Sequence, residues 1–148
     1  MTLSKSARYA LYAALEMARA EGGLVTAAAV AARYRVPPTA AAKVFQQLVR
    51  AGLAEGVRGV GGGYRLARPR SRITVLDVLS VFEPSLREPV DPMAGHGGAA
   101  TPVPAARTRP QAPPDTALAG LLSEVDELVR CTFASVTLAT LVRRERGR

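Results

Sequence analysis

The chain has 148 residues, 48% of them hydrophobic and only 5% aromatic, which suits one compact domain, or a small domain with an appendage, around an Ala-rich core. Its formal net charge of +8, from 20 Lys+Arg against 12 Asp+Glu, implies a polyanionic partner. One cysteine and one histidine, His96, exclude an internal disulfide framework and a Cys-rich zinc site, and they leave no catalytic set.

A first helix is predicted from about Ser4 to Glu21, capped by Ser4, with Ala7, Leu11, Ala14 or Leu15, and Ala18 on one face. Gly22-Gly23 stops it. Thr26 caps a short second helix that runs to Tyr34. Pro38 then opens a third, from about Pro38 to Ala51, with Ala41, Val44, Phe45 and Leu48 inward and Gly52 ending it. Two helices joined by a short turn, the second with a polar outer face, are the parts of a helix-turn-helix. Residues 53–58 and 64–67 read as two short strands around the tip Gly59-Val60-Gly61-Gly62-Gly63, which makes a wing. A fourth helix follows, capped by Thr74 and ended by Glu83-Pro84.

Residues 84–114 hold eight of the 11 prolines and show no hydrophobic periodicity, so a flexible Pro/Gly/Ala-rich loop is expected there. Asp115 is read as the cap of one long helix over 115–142, followed by a frayed basic tail, 143–148. Its apolar stripe of Leu118, Leu121, Leu122, Val125, Leu128, Val129, Phe133 and Val136 has nothing within the chain to pack against. A second copy would cover it. The expected fold is mainly α with a small β-hairpin wing: a winged helix-turn-helix domain over 1–83 and a long C-terminal dimerisation helix.

The charge is not spread evenly. Residues 1–84 carry 12 Lys/Arg and 5 Asp/Glu, a net of +7, leaving +1 for the rest. Seven cations fall within 43–72 against the single acid Glu55. A GC-rich genome accounts for the preference for Arg over Lys, but not for this clustering.

The stretches LSKSARYALYAALEMA, RAGLAEGVRGVGGGYRLARP and ITVLDVLSVFE resemble the IscR/NsrR/CymR (Rrf2) family of bacterial winged-helix repressors. The motif residues are Gly52, Leu53, Arg58, Gly59, Gly62, Gly63, Tyr64, Leu66 and Ala67. The likeness is close over residues 1–84 and loose over the final helix. It implies a homodimer joined through the long helices on a two-fold-related operator in double-stranded DNA. The third helix would enter the major groove and the wing the neighbouring minor groove. Many members hold an iron–sulfur cluster with three cysteines in the loop before the long helix; that loop has none here. A further ligand that some members take from the first helix is matched by Arg8, which cannot serve, so no cofactor and no metal are expected.

Within that frame, Thr39, Lys43, Gln46 and Gln47 lie on the outer face of the third helix, where they can reach base edges or form an ordinary solvated face. Ala40 and Ala42 leave that face poor in base readers. Arg58 beside the glycine tip suits a narrow minor groove, and Gly59, Gly61 and Gly62 let the backbone approach DNA closely. A phosphate-cradling nucleotide loop is the rival reading of these glycines. Tyr64 stands where that motif needs its third glycine, and no helix follows. Ser4, Lys5 and Arg8 are either phosphate anchors at a helix N-terminus or a cap with two solvated cations. Tyr9, Tyr12 and Tyr34 are read as packing residues, Tyr64 as a prop for the wing. Cys131 is either a small buried residue or a redox-active thiol at the dimer seam.

No run of about 18 apolar residues and no signal-peptide cleavage pattern occur, so a cytoplasmic protein without a membrane partner is expected. The sequence thus reads as a DNA-binding transcriptional regulator, a repressor, with a small-molecule or protein effector left open. The alternative is a ligand- or partner-sensing adaptor whose DNA binding is weak or vestigial.

Overall fold

In the computed structural model, residues 2–87 and 116–147 are described. Side-chain caps set most helix starts. The Ala7 N–H donates to Ser4 Oγ at 3.2 Å and opens α1, Lys5–Arg19. Thr26 does the same for α2, Ala27–Tyr34, and Pro38 stands in the first turn of α3, Pro38–Arg50. Arg35 ends α2 in the left-handed region at φ 53°, and Gly52 follows α3 at φ 73°. Thr74 and Asp77 form a reciprocal capping box at the start of α4, Val75–Phe82.

The core is arranged around α1. Ala10, Ala13 and Ala14 are at most 1% exposed, and these short side chains give α1 a smooth surface. α2, α3, α4 and the wing's second strand all contact it. Against this face pack Phe45 and Leu48 of α3, Val78 of α4 and Ile73 before it. The wing consists of β1, Ala54–Val57, and β2, Gly63–Leu66, antiparallel with Glu55 opposite Arg65 and Gly56 opposite Tyr64. Val25 adds a third pairing: its N–H donates to Tyr64 O at 2.8 Å, and Tyr64 N–H to Val25 O at 2.7 Å. A one-residue bridge leaves no periodic signal, so the sequence does not announce it.

The expected single helix over 115–142 is two helices: α5, Thr116–Ser135, and α6, Leu138–Arg146. Between them the backbone runs beside residues 73–75. Val75 N–H donates to Val136 O at 2.8 Å, and Leu138 N–H donates to Ile73 O at 2.9 Å. Thr137 then caps α6 by accepting from Thr140 N–H at 3.2 Å. Leu138 and Val142, at 0% and 3% exposed, join the core around α1. Their apolar spacing continues that of α5, which is why the sequence conceals the break.

The tail expected to fray is helical to Arg146, and Glu145 accepts from Arg19 Nε at 2.9 Å. Residues 84–86 form a 3-10 turn that buries Leu86 to 4% exposure, so the ordered head extends beyond Pro84. Arg87 then binds the carbonyls of Ser80 and Val81 at the end of α4. The loop character of the following residues, His96 and the Asp115 cap lie outside the described residues.

Leu138→Ala should therefore cost about 2–5 kcal/mol, as for any fully buried leucine. Urea unfolding checks this; a loss near zero would mean that α6 is not part of the core.

Candidate nucleic-acid interface

Helical spacing gives α3 two unlike faces. Ala41, Val44, Phe45 and Leu48 are buried, while Thr39, Lys43, Gln46, Gln47 and Arg50 are exposed. Ala40 is half-buried and packs against Ala31, Val36 and Ala41. Its small size thus follows from packing.

The wing stands beside this helix. The Tyr64 ring stacks on Phe45 with centroids 4.5 Å apart and 22° between planes, tying β2 to the inner face of α3. Between the two elements runs a groove of about 490 Å³ lined by Gln46, Val49 and Arg50 from α3 and by Val57, Arg58 and Tyr64 from the wing. Arg50, one of the cations of the basic stretch, joins the sequence-predicted contacts only through the fold. Its spacing from Lys43 and Gln46, seven and four residues, was the available signal.

At the tip, Gly59 and Gly61 have φ of 106° and 75°, and Gly62 N–H donates to Gly59 O at 3.0 Å. A Cβ on Gly62 would lie 2.3 Å from Val57 O, so this turn admits no side chain there. Val60 is fully exposed at the apex.

Ion pairing sorts the cations. Arg19, Arg33, Arg65 and Arg70 each pair with a carboxylate; Arg65 meets Glu55 across the wing at 3.2 Å. Lys5, Arg8, Lys43, Arg50 and Arg58 make no ion pair among the described residues. The acid that interrupts the basic stretch is thus neutralised, and Lys43, Arg50 and Arg58 remain available to an outside anion.

Ser4 differs from its neighbours Lys5 and Arg8. Besides receiving Ala7 N–H, it donates its own N–H to Glu83 Oε1 at 2.7 Å, joining α1 to the end of α4. Hydrogen bonding from Ser4, through its side chain first and its N–H second, holds the Glu83 carboxyl below its ordinary pKa. Ser4 thus caps the helix with its side chain while a carboxylate takes up its own N–H, and Lys5 and Arg8 stay exposed.

Among the tyrosines, Tyr12 and Tyr34 stack at 4.4 Å and 3°, and Tyr34 donates to Glu16 at 2.7 Å. They are packing residues. The expected dimer stripe divides in two. Leu118, Leu121, Leu122, Val125 and Leu128 are 46–69% exposed. Val129, Phe133 and Val136 instead pack beside Ala7, Val75, Leu79 and Leu86 of the same chain. Cys131 is exposed rather than buried, its Sγ 3.6 Å from Glu127 Oε1.

An iron–sulfur cluster does not fit these residues. Such clusters are held by several cysteine thiolates, whereas this chain has one cysteine, on α5. Among the described residues no group of three or more His, Cys, Asp or Glu could hold a metal ion.

A family model described as Rrf2, iron-dependent transcriptional regulator, matches residues 3–144. The chain belongs to the Rrf2 family. A relative named BadM, from Rhodopseudomonas palustris, is 46% identical over 83 residues, covering 56% of this chain and 53% of its own length. The HTH-type transcriptional regulator IscR of Cereibacter sphaeroides is 41% identical over 86 residues, 56% of each chain. The chain thus spans about half the length of the curated relatives it matches.

Among solved structures, T. potens IscR matches with a TM-score of 0.72 at 23% identity, covering 98% of this chain and 88% of that one. CymR, titled the global cysteine regulator of B. subtilis, gives 0.71 at 23%, covering 97% and 98%. The likeness establishes a winged-helix fold, mainly α with a hairpin wing. The matched Rrf2 regulators are not enzymes. No helix among the described residues is long and apolar enough to cross a membrane.

Gly62→Ala should destabilise the protein by about 1–3 kcal/mol through the clash with Val57 O, whereas Val60→Ala stays within about 0.5 kcal/mol of the parent. Chemical denaturation of the two variants side by side checks this; equal stabilities would contradict the tight turn.

Proposed function

We propose that the chain is a DNA-binding transcriptional regulator that works as a homodimer on a two-fold-related operator, as a repressor, in the cytoplasm and without an iron–sulfur cluster. One observation carries this reading: Lys43, Arg50 and Arg58 are exposed without an ion pair among the described residues, and Arg50 and Arg58 line one groove with Gln46. In it, α3 enters the major groove, where Lys43 and Gln46 reach base edges with Thr39 and Gln47 beside them. Arg58 follows the glycine tip of Gly59, Gly61 and Gly62 into the minor groove. Lys5 and Arg8 contact phosphate. Arg50 lines the groove beside the wing and suits the strand passing between the two grooves.

The exposed leucines of α5 support the dimer. Leu118, Leu121, Leu122, Val125 and Leu128 follow helical spacing and form a contiguous apolar stripe that water disfavours. The alternative, a ligand- or partner-sensing adaptor, is motivated by the few base readers on the outer face of α3 and by the Pro-rich stretch 84–114; Arg50 on that face and the inward packing of Ala40 weaken the first of these motives.

Selection of bound genomic fragments should enrich one two-fold-related motif. Arg58→Ala should weaken binding to it by about 1–3 kcal/mol, and affinity should fall steeply with salt as counterions are released. Unchanged affinity in the variant, or a flat salt response in fluorescence anisotropy, would refute the assignment. Leu121→Glu should convert the dimer to a monomer in sedimentation analysis; a dimer that persists would place the interface elsewhere.

A further inference from the structure

Beside the root of the wing lies a cleft of about 580 Å³, within the usual range for small-molecule sites. Its floor is Met17 and Ala18, both 1% exposed. Ala139, at the start of α6, forms one wall, and the chain leaving β2 at Leu66 forms the other. The polar groups gather on the rim. Arg70 donates to Ala18 O at 3.0 Å and meets Glu21 at 3.0 Å, and Arg146 reaches the same carboxylate at 3.5 Å. Glu21 holds a left-handed backbone, φ 49°, that residues other than glycine rarely adopt. Arg68, on the same rim, is exposed and makes no ion pair among the described residues.

Glu21 is thus shared by Arg70 and Arg146, and Arg68 is left unpaired on the same rim above an apolar floor. Surplus positive charge selects an anion, and the floor selects an anion with an apolar body. We propose that this cleft binds a small organic carboxylate, its charged end on Arg68 and its body against Leu66 and Ala139. The position gives it a regulatory consequence, which rests on the DNA-binding reading above. Leu66 belongs to the wing and Ala139 to the helix that follows α5, so a ligand touching both fixes the wing relative to the C-terminal helices.

The test is calorimetric titration of the full chain, free of DNA, with phenylacetate and hexanoate, and with phenylacetamide and inorganic phosphate as comparisons. A carboxylate is expected to bind while the amide and phosphate do not. Arg68→Ala should weaken binding by roughly tenfold or more. Ala139→Leu, which narrows the cleft at the proposed contact, should weaken binding to a similar extent with the folded state retained. No binding by either carboxylate overturns the site, as does phosphate binding of equal strength or binding indifferent to both substitutions. Operator affinity is then measured with and without the bound carboxylate. An unchanged value overturns the regulatory part, whereas a ligand-free chain that binds no DNA overturns the DNA reading and leaves the titration standing.

Discussion

Everything in this protein leans on how closely other elements approach α1. Ala10, Ala13 and Ala14 offer no more than a methyl group each, so neighbouring backbones come near without leaving cavities. Such a surface is demanding in the other direction: one longer side chain would push several elements apart at once. The 5% aromatic content, which at first only described a composition, is the counterpart of this packing. Few large rings are needed where the helices are already close. Four of the seven serve as ties, Phe45 on Tyr64 and Tyr12 on Tyr34.

The head was legible in the sequence because its signals are local. Ser4, Thr26 and Thr74 precede helices as caps, Pro38 opens α3, and glycines mark the wing. Each works within three or four residues of itself. What the sequence concealed depends on distant partners. The break after Ser135 is held open by backbone bonds to Ile73 and Val75, some sixty residues away in the chain. Val136 and Phe133 look like one continuous stripe with Leu128, yet they face a different neighbour. Hydrophobic spacing reports that a face is apolar without saying whose apolar face will meet it.

The candidate interface shows the same division. The outer face of α3 could be counted off by helical spacing, and Arg58 by its place beside the glycines. The cap formed by Ser4 is a local signal, whereas the bond from its N–H to Glu83, an acid 79 positions later, is not announced by any local pattern. Pairing decides which charges are free to act, and pairing is a property of the folded chain. Arg65 and Arg58 are indistinguishable as letters, but Glu55 engages only the first.

The joint between residues 73–75 and 136–138 has a mechanical meaning. Two backbone hydrogen bonds and two capped helix starts, at Thr74 and Thr137, meet there. α5 therefore leaves the head from a clamped root rather than from a flexible hinge. Twenty helical residues at about 1.5 Å each make a rod of roughly 30 Å. If two such rods are joined, the separation of the two heads is set by the angle of that clamp. The spacing between half-sites would then be fixed by a few main-chain bonds far from any base.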